Sequence, residues 1–463
     1  MRRRSFWLAA CEMVSLVCSA QWEDLGSGMN GGVRKLLYHP GLERVYAFGH
    51  FGSAGGAVVN GTAYWENEVW YPMGLGMHNT QIYPVMNASF WGDSILIAGS
   101  FPYAYGVPYS QNVAIWDGAA WSAIQPGGVD AFIPAVISNA DGLTVAGQIA
   151  SIAGIPIANN VARFTGGTWS SACVHPTDGI LWFSTMAYYQ GKYILGGNLN
   201  SPTLRELCWL DGDTLRRVGQ GILGDAWVND LQEYQGKLYI AGDYNTASGN
   251  AATSLSTWDG QDFANPFPQV YFTTQANDID VFGGELYFSG RVQLLGSSDY
   301  YALARYDGER LCLFGKNLNT VFLSIAATEE YLYVAPNMIT LGLGGDTVNY
   351  IARWDLDILG DTCIQIATVI REPEPLGADW AISPTPFSDQ LFISCSAGIP
   401  SGSRFEITDV AGRMLSAVSL NMAGPNEQVA LRPRTASEGV VIATIRDQHG
   451  AALARKRLIR ISH

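Results

Sequence analysis

The 463-residue sequence has little charge, and most of that charge is of one sign. Charged residues make up 15% of it, with 27 Lys and Arg against 41 Asp and Glu, which gives a formal net charge of −14. Binding of nucleic acid requires a basic surface, so we expect no nucleic-acid partner. Beyond residue 20, no apolar run approaches the roughly 18 residues of a membrane span, so we also expect no span.

Motifs that carry chemistry are missing as well. The His residues show no H-E-x-x-H spacing, the Cys residues show no C-x-x-C pair, and neither a G-x-S-x-G nor a P-loop sequence occurs. The sequence therefore predicts no metal, no cofactor and no catalytic residue. Five Cys lie beyond residue 20, and because five is an odd number at least one thiol is unpaired; the pairing stays open. They are Cys173, Cys208, Cys312, Cys363 and Cys395.

Apolar residues (48%), aromatic residues (12%) and 52 Gly are abundant, a composition typical of a turn-rich β protein. The clearest unit, Leu231–Gly260, has short alternating strands and ends at an Asp-Gly turn. An aromatic residue in its last strand recurs every 45–51 residues, at Trp65, Trp116, Phe164, Trp209, Trp258, Tyr306 and Trp354. This period predicts an all-β, seven-bladed β-propeller. The copies begin near Val33, Ile82, Ile133, Phe183, Val228, Asn277 and Phe322.

The seventh copy ends without a fourth strand, and a stretch at the N-terminus can supply it. Trp22–Met29 resembles Val69–Met77, the end of the first copy. We predict that Trp22–Met29 pairs beside the hairpin containing Ile351–Asp355, which would close the ring and remove its open edges. An open solenoid is the alternative.

Residues 1–20 have the pattern of a secretory signal, with Arg2–Arg4, an apolar run over Phe6–Val17 and small residues before Gln21. We expect the propeller over residues 21–370 and a Pro-rich linker over residues 371–380. A separate domain over residues 381–463 has short alternating strands that favour a small β-sandwich.

The C-terminal domain resembles the type A sorting domain of the type IX secretion system of Bacteroidota. The resemblance rests on a Pro-x-Pro-Phe start, an Asp followed by Gly-Arg at a turn, a Gly before two apolar residues, and a basic ending. The residues are Pro384, Pro386, Phe387, Asp409, Gly412, Arg413, Gly439 and Lys456. Thr385 and Val441 depart from the usual Asn and Tyr. The resemblance implies the type IX machinery as a partner and a secreted or outer-surface location, reached through the periplasm.

The repeats resemble kelch-like or galactose-oxidase-like secreted propellers, at the level of the fold alone. Loops between second and third strands are rich in Tyr, whose flat rings with a polar tip suit sugar or peptide ligands. The alternative is that these rings merely cover the sheet ends. The candidate ligand-binding residues in these loops are Tyr103, Tyr105, Tyr109, Tyr244, Tyr300 and Tyr301.

Asp230 and Asp278 occupy equivalent positions in adjacent copies, near the start of the first strand. Two close carboxylates can perform acid/base chemistry or hold a cation; alternatively they are hydrogen-bonded strand starts. The sequence favours a secreted or surface protein that binds carbohydrate or protein. A polysaccharide-acting hydrolase or lyase is one rival, and a structural or adhesion component of the surface is the other.

Overall fold

The computed structural model is all-β. The residues that it describes are 22–77, 85–124, 128–129, 131–139, 142–175, 177–179, 181–223, 226–247, 250–251, 254–318, 320–338, 340–341, 347–356, 362–366, 380–383, 390–396, 399, 401–409, 414–420, 424, 427–431, 439–446 and 452–460. Within these ranges the one helix is a three-residue 3₁₀ turn, Ala158–Asn160, too short to cross a membrane. The predicted signal, residues 1–20, lies outside them. The chain divides into two compact units between Gln365 and Ile366.

The first unit consists of antiparallel sheets made from consecutive strands. After β1 (Trp22–Asp24) come β2 (Val33–His39), β3 (Arg44–Gly49), the ribbon β4 (Ser53–Ala54) and β5 (Ala57–Val58), β6 (Thr62–Glu66) and β7 (Val69–Pro72). The second sheet is β8 (Val85–Trp91), β9 (Ser94–Gly99), β10 (Val113–Trp116) and β11 (Trp121–Ser122). The third is β12 (Phe132–Asn139), β13 (Gly142–Gln148), the ribbon β14 (Ser151–Ile152) and β15 (Ile155–Pro156), β16 (Val161–Thr165) and β17 (Thr168–Ser171).

The fourth sheet is β18 (Trp182–Tyr189), β19 (Lys192–Asn198), β20 (Leu207–Asp211) and β21 (Thr214–Arg217). The short β22 (Ile222–Leu223) pairs with a ribbon of the fifth repeat. That repeat is β23 (Trp227–Tyr234), β24 (Lys237–Asp243), the ribbon β25 (Thr246–Ala247) and β26 (Asn250–Ala251), β27 (Leu255–Trp258) and β28 (Phe263–Ala264). The sixth is β29 (Val270–Phe282), β30 (Glu285–Leu294), β31 (Tyr300–Tyr306) and β32 (Arg310–Lys316). The seventh is β33 (Phe322–Ala327), β34 (Tyr331–Pro336), the ribbon β35 (Thr340–Leu341) and β36 (Thr347–Val348), and β37 (Ala352–Asp355), followed by β38 (Thr362–Gln365).

The first strands of successive sheets pack against one another. β2 contacts β8, β8 contacts β12, and the series continues through β18, β23, β29 and β33. β33 then contacts β2, so the series returns to its beginning. The hydrophobic clusters lie between neighbouring sheets: Val33 and Trp65 of the first sheet, for example, share one cluster with Tyr333 and Ile351 of the seventh. The described sheets of this unit therefore have a propeller-like arrangement.

The N-terminal strand supplies the fourth strand of the seventh sheet, as the sequence predicts. β1 pairs with β37 in the register Trp22↔Trp354, Glu23↔Arg353 and Asp24↔Ala352. The same aromatic pair joins the third and fourth strands of other sheets, at Trp65↔Trp70, Trp116↔Trp121, Phe164↔Trp169 and Trp258↔Phe263. The ring centroids of Trp22 and Trp354 lie 4.9 Å apart, as close as in those pairs.

The turn after β1 also matches the turn that ends the first sheet. Gly26 and Gly28 have φ of +62° and +68°, and Gly74 and Gly76 have +60° and +70°. A Cβ atom at Gly28 would lie 2.6 Å from the carbonyl oxygen of Asn349, so the close approach as well as the backbone requires Gly there.

Arg353 joins three segments at the point where the first and seventh sheets meet. Its guanidinium donates to Glu23 Oε2 (2.7 Å) in β1 and to Glu68 Oε1 (2.6 Å) in the turn between β6 and β7. It also lies over the ring of Tyr331, 4.1 Å from its centroid. We call this arrangement the Arg353 junction; it connects the beginning of the described chain to both sheets.

Among the residues that the structure describes, one disulfide is present, and it joins Cys312 in β32 to Cys363 in β38. β38 thereby extends the sixth sheet to five strands. Cys173, Cys208 and Cys395 are free and buried. The prediction that at least one of these five thiols is unpaired is therefore confirmed, and three are free.

The second unit contains two sheets around one core. β39 (Trp380–Ser383), β40 (Leu391–Cys395) and β43 (Val429–Leu431) form one sheet, and β41 (Arg404–Asp409), β42 (Met414–Ser419), β44 (Gly439–Arg446) and β45 (Ala452–Arg460) form the other. Side chains of both sheets meet in a single hydrophobic cluster that contains Ile382, Leu391, Phe405, Ile407 and Ala443.

Candidate functional site

A cavity of about 420 Å³ lies between the first strands of the first unit. Every one of these seven strands contributes to its lining, through Lys35, Asn87, Val136, Thr185, Asp230, Asp280 and Ile325 among others. The first strands do not run in regular register with the second strands. The register shifts between Val33 and Lys35, between Phe183 and Thr185, and between Val228 and Asp230. A bulge re-aims the side chain that follows it, and Lys35, Thr185 and Asp230, which directly follow these shifts, all line the cavity.

The carboxylate of Asp278 is fully engaged by its neighbours. Its Oδ1 accepts from Lys35 Nζ at 2.9 Å, and its Oδ2 accepts from Ser324 Oγ at 2.7 Å and from the Ile325 backbone N–H at 2.8 Å. The residue is 4% exposed. These bonds connect β29 to both β33 and β2, so Asp278 links three sheets.

Asp230 is bound more loosely and lines the cavity. Its Oδ2 accepts from the backbone N–H of Ile279 at 2.9 Å, and its Oδ1 accepts from Thr185 Oγ1 at 3.3 Å. Burial raises the pKa of Asp230 to about 7; the positive charge of Lys35 opposes this rise and the negative charge of Asp278 adds to it.

Lys35 is the cation of the cluster. Burial disfavours its charged form, but the charges of Asp278 and Asp230 outweigh that effect and raise the pKa of Lys35. Asp280 also has a raised pKa through burial, although its Oδ2 accepts from the Ala327 N–H at 2.7 Å. Asp230 and Asp278 are thus close enough for their charges to interact, as the sequence suggested. Their hydrogen bonds to Ile279 and Ile325 hold adjacent first strands together.

The raised pKa of Asp230 predicts a pH-dependent contribution to stability. The folded state holds the proton of Asp230 up to about pH 7, whereas an unfolded Asp loses it near pH 4. The unfolding free energy that this group contributes is complete below pH 4 and is lost as the pH rises through 7. We expect Asp230→Asn, which stays neutral, to become more stable relative to the natural chain between pH 5 and pH 8 in urea titrations. Parallel stability curves for the two proteins would contradict this assignment.

Three of the predicted tyrosines are exposed together on the loop between β9 and β10. Tyr103, Tyr105 and Tyr109 are 36%, 40% and 53% exposed. The loop is anchored by the buried side chains of Phe101 and Ala104. The backbone N–H of Tyr105 also donates to Gly76 O of the first sheet, at 3.0 Å. The three rings therefore project from a fixed backbone.

The predicted exposure is wrong for Tyr244 and Tyr301, each of which is 3% exposed. The Tyr244 hydroxyl donates to Ile240 O at 2.6 Å, and the Tyr301 hydroxyl hydrogen-bonds to Thr362 Oγ1 at 3.0 Å. Tyr300 is partly buried, with the guanidinium carbon of Arg291 3.5 Å from its ring centroid. The rings of Tyr244 and Tyr301 are therefore buried within the fold, where each hydroxyl group has a hydrogen-bond partner.

The predicted sorting residues are described only in part. Pro384, Pro386, Phe387, Gly412 and Arg413 lie outside the described residues. In the described part, Asp409 is the last residue of β41, Gly439 is the first residue of β44, and Lys456 lies in β45 opposite Ala443.

Three aromatic residues to which the sequence pattern gave no role lie at the starts of consecutive first strands. They are Phe132 in β12, Trp182 in β18 and Trp227 in β23. The signal for them is an aromatic residue directly before a buried apolar one, repeated in three successive copies: Phe132-Ile133, Trp182-Phe183 and Trp227-Val228.

No family model and no curated protein matches the sequence. Among solved structures, PorZ, a surface component of the type IX secretion system of Porphyromonas gingivalis, matches 90% of this chain at 12% identity and a TM-score of 0.36, and this chain covers 64% of it. The GH74 enzyme of Niastella koreensis matches 94% of this chain at 11% identity and a TM-score of 0.44, with 74% of the enzyme covered. The GH43_1 enzyme of Xanthomonas citri matches 73% of this chain at 12% identity and a TM-score of 0.27, with 90% of the enzyme covered. At these values the likenesses identify neither a ligand nor an activity of this chain.

Proposed function

We propose that the protein is a secreted or cell-surface binding protein whose ligand, carbohydrate or protein, is held at one end of a closed seven-bladed β-propeller. The cyclic series of first-strand contacts and the pairing of Trp22 with Trp354 support the closed ring. Closure matters for function because it fixes the loops of different sheets relative to one another.

The observation that carries the proposal is the exposure of Tyr103, Tyr105 and Tyr109 on an anchored loop. A rigid group of Tyr rings offers contact area at low entropic cost, together with hydroxyl groups for polar contacts. Asp278, one of the two carboxylates that the sequence singled out for catalysis, is less available to a ligand, because both of its oxygens already accept hydrogen bonds from the protein.

We expect Tyr103→Ala, Tyr105→Ala and Tyr109→Ala together to weaken ligand binding by roughly 10- to 100-fold, because they remove three exposed rings from one surface. The measurement is binding of the full chain to an array of glycans and purified cell-surface proteins, followed by titration of each hit. Tyr71→Ala is a matched control, since Tyr71 is 37% exposed on the outer strand β7. Equal affinities of the triple variant and the control would contradict the proposed site, and a chain that binds nothing on the array would favour a structural surface component.

A hydrolase or lyase acting on polysaccharide is a second candidate, favoured by one observation. Asp230 lines the cavity with a pKa of about 7, which suits a general acid or base. The same array distinguishes the two functions when each ligand is also assayed for released products. If products form and Asp230→Asn abolishes their formation, the protein is an enzyme. Saturable binding without turnover would show a binding protein.

We also propose that residues 381–463 direct the chain through the type IX machinery. The order of the motifs and the two sheets around Phe405 and Ile407 support an independent domain. We expect a chain ending at residue 380 to remain in the periplasm of a bacterium that has this system, whereas the full chain reaches the surface or the medium. Fractionation followed by immunoblotting measures this, and equal amounts of both chains outside the cell would refute the proposal.

A further inference from the structure

The side chains of Phe132, Trp182 and Trp227 form a row across three neighbouring sheets; we call it the aromatic row. The ring centroids of Phe132 and Trp182 lie 6.0 Å apart with an interplanar angle of 68°, and those of Trp182 and Trp227 lie 6.1 Å apart with an angle of 59°. Trp182 and Trp227 are 37% and 36% exposed. Phe132 is partly buried, so the two Trp rings form the exposed part of the row. Adjoining exposed aromatic rings are a candidate binding surface.

Each ring of the row stands opposite a polar side chain on the neighbouring strand. The register pairs Phe132 with Gln148, Trp182 with Asn198, and Trp227 with Asp243. Directly opposed residues of an antiparallel pair project from the same face of the sheet, a few ångströms apart. Gln148 and Asp243 are exposed, and Asn198 is partly exposed. The surface is therefore a threefold repeat of one unit, an aromatic ring beside an amide or carboxyl group.

The row has a fixed backbone. The residues after the three rings, Ile133, Phe183 and Val228, are each fully buried and hold the strand starts in the core. Asn198 Nδ2 also donates to Ala226 O at 3.2 Å, which joins the fourth sheet to the residue just before Trp227. A ligand would thus meet rings that are already in position, which lowers the entropic cost of binding.

The row lies at the same end of the sheets as the tyrosine loop. The start of each first strand pairs with the end of the second strand, as Phe132 does with Gln148. The loop with Tyr103, Tyr105 and Tyr109 leaves the end of the second strand β9, in the sheet next to the one that carries Phe132. The two surfaces therefore occupy neighbouring sheets at one end of the unit.

We propose that the aromatic row binds a neutral polysaccharide chain, with the apolar parts of its sugar rings against the exposed surfaces of the aromatic rings and its hydroxyl groups bonded to Gln148, Asn198 and Asp243. The inference rests on the proposed binding function and names its ligand class. A surface that repeats one unit three times suits a ligand that also repeats. The six side chains include no cation and the chain carries a net charge of −14, which disfavours anionic polymers.

The test is native affinity electrophoresis of the full chain in gels that contain hydroxyethyl cellulose, arabinoxylan, galactomannan or dextran, with polygalacturonate as the anionic comparison. We expect at least one neutral polymer to retard the natural chain and polygalacturonate to leave it unaffected. Trp182→Ala with Trp227→Ala should weaken retardation roughly 10- to 100-fold, and Trp182→Phe with Trp227→Phe should retain much of it. Tyr188→Ala is the matched control, because Tyr188 is 39% exposed at the opposite end of the strand that carries Trp182.

Thermal unfolding midpoints within a degree or two of the natural chain would show that the variants are folded. Retention of binding by a folded Ala double variant would overturn the inference. If the tyrosine triple variant alone loses the polymer, the aromatic row is wrong while the proposed function stands. If no polymer retards the chain but a purified protein on the array binds it, the polysaccharide assignment is overturned and the proposed binding function stands. If neither a polymer nor a protein binds, both proposals are wrong.

Discussion

A chain shortened to begin at Asn30 is expected to lose at least roughly 5 kcal/mol of unfolding free energy in its first unit, and to aggregate. The shortening removes β1, whose three residues pair with β37, together with the buried side chains of Leu25 and Met29. Each buried aliphatic side chain contributes about 1.5–3 kcal/mol. The ring of Trp22, which contacts Phe322 and Trp354, is lost as well.

Urea unfolding and light scattering of chains that begin at Gln21 and at Asn30 measure this effect. A synthetic peptide of residues 21–32 is expected to restore stability when it is added to the shortened chain, because it can pair with the open edge of β37. A peptide with Trp22→Ala and Leu25→Ser is the control and should not do so. An unchanged unfolding midpoint in the shortened chain would show that β1 does not complete the seventh sheet.

Asp278→Ala is expected to lower the unfolding free energy by about 3–5 kcal/mol. It leaves Lys35 Nζ without its 2.9 Å partner, and it deprives Ser324 Oγ and the Ile325 N–H of their acceptor. The side chains of Lys35 and Asp278 are 20% and 6% exposed, so water replaces the lost partner poorly. A buried ion that loses its partner costs more than the pair contributed.

The double variant Lys35→Met with Asp278→Leu separates this cause from loss of shape, because apolar replacement of both ions removes the unpaired charge. We expect it to recover most of the loss seen with Asp278→Ala in urea titrations. Asp262→Ala, at an exposed position, should change the free energy by about 0.5 kcal/mol or less. A loss below about 1 kcal/mol for Asp278→Ala would mean that the cluster does not hold the first strands together.

The sequence predicted the repeats well because their signals are local and recur. The aromatic residues that recur every 45–51 positions, from Trp65 to Trp354, each lie in the third strand of a sheet. The pairing of β1 with β37 was predictable because the fourth-strand pattern of Trp22–Met29 repeats that of Val69–Met77. Repetition thus carried information about a contact between residues more than 300 positions apart.

Burial of single loop residues could not be predicted in the same way. Tyr244 follows Asp243 and precedes an Asn/Ala/Ser/Gly-rich loop, a context that favours exposure, yet its hydroxyl turns back to Ile240 O. The register shifts before Lys35, Thr185 and Asp230 leave no residue signature either, since bulges depend on how two strands meet. The same dependence concealed the aromatic row, whose members become neighbours only when three sheets pack side by side.

The Arg353 junction sets an order of events for the newborn chain. Glu23 and Glu68 are synthesised early, but their common partner follows Glu23 by 330 residues. At roughly 5–20 residues per second, the ribosome needs about 15–70 s to reach it. During that interval β1 has no strand with which to pair, and the first sheet lacks the seventh sheet that packs against it. The ion pairs of the Arg353 junction can therefore form only after nearly the whole first unit has been synthesised.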